Sequence, residues 1–112
     1  MLETVPSVRM VITTVADREE AARIGRTLVE ERLAACATIV PGAHSIYRWK
    51  GEVDSSEETV LLLKTESDRL AALDTRLHEL HSYETPEFLV LAVESGSHDY
   101  LAWLHACLEE ST

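Results

Sequence analysis

The stretch that most restricts the fold runs from residue 36 to residue 65, Cys-Ala-Thr-Ile-Val-Pro-Gly-Ala-His-Ser-Ile-Tyr-Arg-Trp-Lys-Gly-Glu-Val-Asp-Ser-Ser-Glu-Glu-Thr-Val-Leu-Leu-Leu-Lys-Thr. It reads as one long β-hairpin turning at Lys50-Gly51. Glycine in a two-residue turn supplies positive φ, and a loop of that length sets Trp49 opposite Glu52 and Arg48 opposite Val53. Arms over residues 36–49 and 52–65 follow. At about 3.3 Å per residue such arms reach roughly 45 Å. A compact globule of this length has a radius of gyration near ~13 Å and is about 35 Å across. The hairpin is therefore expected to overhang its own domain. That reach is an upper bound, because Pro41-Gly42 removes a ladder donor and marks a bulge that breaks the first arm into two pieces. A two-stranded ribbon needs a cover for its apolar side, and another subunit is the expected one.

The other elements hang on this hairpin. Residues 8–15 are rich in β-branched side chains and predict a central strand. Asp17 caps a helix that carries Glu19 and Glu20 in its first turn, where the helix dipole favours anions. Ala21, Ile24 and Leu28, with Ala22, Gly25, Val29 and Leu33, give this helix an apolar face, and it is expected to end near Leu33. Ser67 is the expected N-cap of a second helix striped by Leu70, Leu73, Leu77 and Leu80 and ending near Ser82. Residues 88–93 predict a strand, Gly96-Ser97 a turn and cap, and Leu101, Leu104 and Leu108 the buried side of a last helix, beside Tyr100, Trp103 and Cys107. The order strand, helix, strand, strand, helix, strand is the α+β, ferredoxin-like split βαβ arrangement with a helix added.

One domain over residues 1–112 accounts for the length. No apolar run is long enough for a bilayer span and the first residues carry no export signal, so a cytoplasmic protein with no membrane partner is expected. Two cysteines, Cys36 and Cys107, make no disulfide framework and are expected as free thiols. Twenty acidic residues against ten Lys plus Arg give a net charge of −10, and no basic run is present to neutralise phosphates, which excludes nucleic acid as a partner.

Phosphate-binding glycine loops, nucleophile elbows and paired-cysteine zinc motifs are all missing, so no enzyme is indicated. Asp74, His78 and His81 fall at i, i+4 and i+7 on the second helix; they line one side of it either as metal ligands or as a solvated face. Residues 81–87, His-Ser-Tyr-Glu-Thr-Pro-Glu, combine an imidazole, a phenol and carboxylates ahead of a strand, which suits a loop that caps a pocket or one that simply connects helix to strand. Tyr47 and Trp49 share a parity on the hairpin and suit a subunit contact. Cys36, between two alanines, fits packing better than catalysis.

At these residues the chain resembles the CutA family of divalent-cation tolerance proteins. The matching stretches are Arg32 to Gly51, Leu63-Lys64-Thr65, His81 to Glu87, and Asp99-Tyr100-Leu101-Ala102-Trp103. The resemblance implies a ferredoxin-like subunit in a homotrimer whose hairpins clasp their neighbours, with Tyr47, Trp49 and Trp103 at the contact. It implies tolerance of copper and other divalent cations, with His81 matching a ligand; by residue type copper or zinc is expected, with His78 or Cys36 as helper. Copper-binding members use two further ligands, at positions that here hold Leu80 and Thr13. It also implies likeness to PII signalling trimers, and hence an alternative in which a small effector binds an intersubunit cleft through Tyr47, Trp49, Lys64, Tyr83 and Glu84. A purely structural trimer or adaptor is the third reading.

Overall fold

In the computed structural model, which describes residues 1–4 and 7–109, Lys50 and Gly51 both take positive φ, 50° and 82°. This is the left-handed pair that a two-residue hairpin turn demands. The turn joins strands β3, Cys36–Trp49, and β4, Glu52–Glu66, with Trp49 opposite Glu52 and Arg48 opposite Val53 as the spacing requires. Gly42, at φ 79°, sits in a register shift between Val40 and Ala43. The first arm therefore bends at a bulge and remains a single strand, where two pieces were expected, since the ladder resumes at Ala43 opposite Glu58.

Ahead of the hairpin lie β1, Leu2–Thr4, β2, Val8–Val15, and α1, Arg18–Glu30; behind it come a 3-10 turn, Ser67–Arg69, then α2, Leu70–Leu80, β5, Leu89–Ala92, β6, Ser95–Ser97, and α3, His98–Leu108. The main sheet is antiparallel in the order β3-β4-β2-β5, which is the ferredoxin-like arrangement. β2 pairs with β4 only from Glu66 to Thr59, so the hairpin beyond residue 58 is two-stranded and projects from the sheet. The longest dimension is accordingly 47 Å and the radius of gyration 15.0 Å, against ~13 Å for a compact chain of this length.

Five expectations shift. Helix α1 stops at Glu30 because Arg32 takes φ 59° and the N–H groups of Arg32 and Leu33 turn back to the carbonyls of Val29 and Leu28, a left-handed helix stop that ends the turn early. Ser67 opens the 3-10 turn and does not cap α2, whose end comes at Leu80 because His81 is already extended. β5 is shorter than the 88–93 run. Gly96 lies in β6, which pairs with β1 in a second, two-stranded sheet, while Ser97 keeps the N-cap position of α3 without a side-chain bond.

Helices α1 and α2 cover one face of the sheet. Val11, Val15, Leu61 and Leu63 meet Ala21, Ile24, Leu28, Leu73 and Leu77 there, all fully buried. Each such large side chain contributes about 1.5–3 kcal/mol over an exposed one. Gly25 lets α1 come close to β3: a Cβ at that position would lie 2.9 Å from the Ala37 Cβ. On the opposite face α3 covers only one end, packing Leu101, Leu104 and Leu108 on Val8 and Ala35. Arg32 and Arg69 donate to the last carbonyls of α3, at Cys107 (2.8 Å) and Leu108 (2.6 Å), satisfying groups a helix end leaves open. The rest of that face stays uncovered, with Val40, Leu89 and Leu91 at 45%, 57% and 48% exposure.

Two histidines tie α3 to its surroundings. His105 lies between Glu66 of β4 (2.9 Å) and Glu109 (2.8 Å), and His98 lies 3.2 Å from Glu3 of β1. Their hydrogen bonds to Glu66 and Glu3, reinforced by the same carboxylates' charge, raise both imidazoles above their ordinary value. A group raised on folding adds stability that is complete below its unfolded pKa, near 6.5, and is lost as pH rises through the folded value. Urea midpoints of the wild type should therefore fall as pH is raised from 6 to 8, and His98→Gln/His105→Gln should flatten that fall.

Candidate functional site

The end of α2 delivers the imidazole, phenol and hydroxyl of residues 81–83 to the mouth of the sheet. Because His81 is extended, the chain leaves the helix sharply and its ring enters between β2 and α1, with the side chain fully buried. Nδ1 of His81 lies 3.0 Å from the Tyr83 main-chain N–H, and Nε2 lies 2.8 Å from the Thr14 carbonyl. The first partner can only donate and the second can only accept. Nδ1 therefore accepts and Nε2 carries the proton.

Glu20 completes this corner from the first turn of α1. Asp17 caps the Glu20 N–H at 2.8 Å, and Glu20 itself, three residues into the cap pattern, reaches back to the Ala16 N–H (3.4 Å) and across to Ser82, accepting from its N–H at 2.8 Å and its Oγ at 2.9 Å. Burial opposes its charge, but the Ser82 and Ala16 hydrogen bonds outweigh that and hold the carboxyl below its ordinary value. It stands 3.8 Å from His81 Nδ1. Tyr83 packs against His81 with ring centroids 4.8 Å apart and planes tilted by 50°, and its hydroxyl donates a hydrogen bond to Glu58 at 2.8 Å. Burial, then the Glu58 bond and charge, push the Tyr83 phenol far above its usual range. The corner thus locks α1, the bulged root of the hairpin and the residue 81–88 loop together.

Sequence reasoning placed His81 and Tyr83 here but missed Glu20 and Glu58. The signal for Glu20 was the Asp17-x-x-Glu20 cap spacing; Glu58 becomes visible only once the bulge sets it opposite Ala43.

The expected metal ligands are not gathered. Both His81 nitrogens are used. His78 faces out, with Nδ1 at 2.9 Å from both the carbonyl and Oδ1 of Asp74 and its ring tilted over Phe88. Cys36 lies across the ladder from Lys64, itself opposite Met10, four residues along β2 from the Thr14 that holds His81. That offset alone is about 13 Å. Thr13, at a ligand position of the copper-binding pattern, is fully buried, and its hydroxyl has no partner among the described residues. No group of three His, Cys, Asp or Glu able to hold an ion occurs among them.

Of the residues expected in an effector cleft, Trp49, Tyr83 and Glu84 do meet, lining with Thr85 a cavity of about 340 Å³ beside the hairpin. Tyr47 lies on the hairpin with its hydroxyl 3.4 Å from Ser56, and Lys64 is elsewhere, bonded to Tyr100. Trp103 lines a separate groove of about 460 Å³ with Cys36, Val29 and Ala37. Tyr47, Trp49 and Trp103 are all exposed in the single chain. Cys36 and Cys107 are free thiols, and among the described residues no helix is long and apolar enough to cross a membrane.

Comparison with known proteins places these features in one group. The model of the CutA1 divalent ion tolerance protein family matches residues 9–107. The divalent-cation tolerance protein CutA of Thermus thermophilus is 47% identical over 95 residues, 85% of this chain and 92% of its own. That of Pectobacterium atrosepticum is 43% identical over 99 residues, 88% and 90% of the two chains. The solved structure of CutA from Synechococcus elongatus superposes with a TM-score of 0.94 at 36% identity, covering 97% of this chain and 96% of that one.

The hydrogen-bond pattern at residue 81 has a direct spectroscopic readout. Long-range proton–nitrogen NMR should show His81 as the Nε2–H tautomer; an Nδ1–H ring would mean that the Tyr83 N–H bond does not form.

Proposed function

The chain belongs to the CutA1 divalent ion tolerance protein family, and on that footing we propose that it serves divalent-cation tolerance as a cytoplasmic homotrimer without enzymatic activity. The observation that carries the trimer is the unfinished core. One sheet face is closed by α1 and α2, whereas on the other Ile12 and Leu62, half-buried, run into exposed Val40, Leu89 and Leu91 beyond the reach of α3. A patch of that kind marks an interaction surface. The hairpin projecting past residue 58, with Tyr47 and Trp49 exposed on it, supports the same reading, since rigid aromatics suit interface centres. Two free thiols support a reducing compartment.

Sedimentation equilibrium should give three times the chain mass, and Ile12→Asp, which puts a carboxylate on the open face, should shift it to the monomer. A monomeric wild type would overturn the trimer.

For copper or zinc we propose His78 in place of His81. Ligating histidines commonly direct one ring nitrogen to a neighbouring acceptor and present the other to the metal. His78 has its Nδ1 on Asp74 and no described residue on Nε2. One imidazole cannot close a coordination shell, so further ligands come from solvent or another subunit. In calorimetric titrations with copper(II), His78→Ala should weaken binding by about tenfold or more, and His81→Gln should leave it unchanged; the reverse pattern would return the site to His81.

A further inference from the structure

A second cavity, of about 220 Å³, lies between α3 and the sheet end that this helix covers. Its walls are mainly apolar, from Val8 and Met10 on β2, Val93, and Leu101 and Leu104 on α3, with Ser95 and Gly96 of β6 beside them, and a single cation reaches it, Lys64 of β4. Lys64 Nζ donates to the Tyr100 hydroxyl at 3.1 Å and lies 5.4 Å from the centre of that ring. Tyr100 in turn lies beside Trp103, ring centroids 5.3 Å apart.

The surroundings of this lysine are apolar and aromatic. The chain has twice as many carboxylates as Lys and Arg side chains, and Arg26, Arg69 and Arg76 each stand beside one. Lys64 has none within ion-pair distance among the described residues; its partners are a neutral phenol and an aromatic face. The Tyr100 hydrogen bond favours the charged ammonium and raises its pKa. A phenol accepts one bond and leaves the other ammonium protons free to donate. A charged donor at the rim of an apolar space is complementary to a molecule that is anionic at one end and apolar at the other.

We infer that Lys64 and the cavity beneath α3 form a binding site for a small carboxylate carrying an apolar body about the size of a phenyl ring. A closed apolar cavity of about 150 Å³ is sufficient to hold benzene, so the volume here admits one ring or a short branched chain and little more. The carboxylate meets the ammonium at the rim, and the ring packs against the valine and leucine walls. All of these lining residues belong to one chain, and the site does not rest on metal binding.

The probes are phenylacetate, benzyl alcohol and acetate, titrated calorimetrically into the full-length protein and its Lys64→Met variant. Phenylacetate should bind once per chain. Benzyl alcohol, which keeps the ring without the charge, and acetate, which keeps the charge without the ring, should each bind at least about tenfold more weakly. Lys64→Met, which preserves most of the stem, should lose at least about tenfold for phenylacetate and change little for benzyl alcohol; Lys64→Arg should retain phenylacetate binding. Should Lys64→Met fail to fold, chemical-shift changes on the wild type decide: shifts at Leu104, Val8 and Tyr100 support the site, and shifts confined to other residues overturn it. Equal affinity for phenylacetate and acetate, undiminished binding in a folded Lys64→Met, or no binding of phenylacetate would each overturn the proposal.

Discussion

Strand β4 is hydrogen-bonded on both edges over its second half and on one edge over its first, and most of the architecture depends on that asymmetry. Where β2 and β3 flank it, Leu61 and Leu63 enter the helix-covered core and are completely buried. Where β2 ends, the same strand continues outward with β3 alone. One continuous element thus builds the interior and an arm that the chain cannot cover. The bulge at Pro41-Gly42 sits at the junction between the two regimes, where a change of direction costs no sheet pairing with β2.

At that junction the chain also places its most interconnected polar corner. His81 and Glu20 are withdrawn from solvent and each is satisfied by several partners, as buried polar groups must be. Such a network fixes geometry more than it supplies chemistry, because the groups that define it are used up in holding one another. The effect is to tie the hairpin root, through Glu58 and Tyr83, to the first helix, so that the arm leaves the domain at a defined angle. The outward-facing His78 and the cavity at Lys64 lie outside this corner and keep unused hydrogen-bonding capacity.

Much of the fold was legible in the sequence. Lys50-Gly51 set the turn and therefore every cross-strand partner near it, the β-branched run of residues 8–15 named its strand to the residue, and the leucine stripes named the buried sides of α2 and α3. The misses have physical causes. Nothing in Arg32 itself announces a left-handed helix stop, and Ser95-Gly96-Ser97 has turn composition yet becomes a strand because β1 is beside it to pair with. The candidate site was half legible: the loop of residues 81–87 stood out, but the helical spacing of His78 and His81 suggested a shared face, and α2 ends between them.

What the sequence determined by itself is what depends on neighbours a few residues away: turn type, strand parity, the helix stripes and the Asp17 cap. These follow from backbone sterics and short-range hydrogen bonding, which composition and spacing encode directly. Only the tertiary structure decided what each polar side chain faces. The Thr14 carbonyl that accepts the His81 N–H bond is sixty-seven residues away in sequence, and the Tyr100 hydroxyl that meets Lys64 is thirty-six away. Residue type states that an imidazole can ligate a metal or that an ammonium can pair with a carboxylate; which of its valences remain free is settled by the groups that packing brings against it.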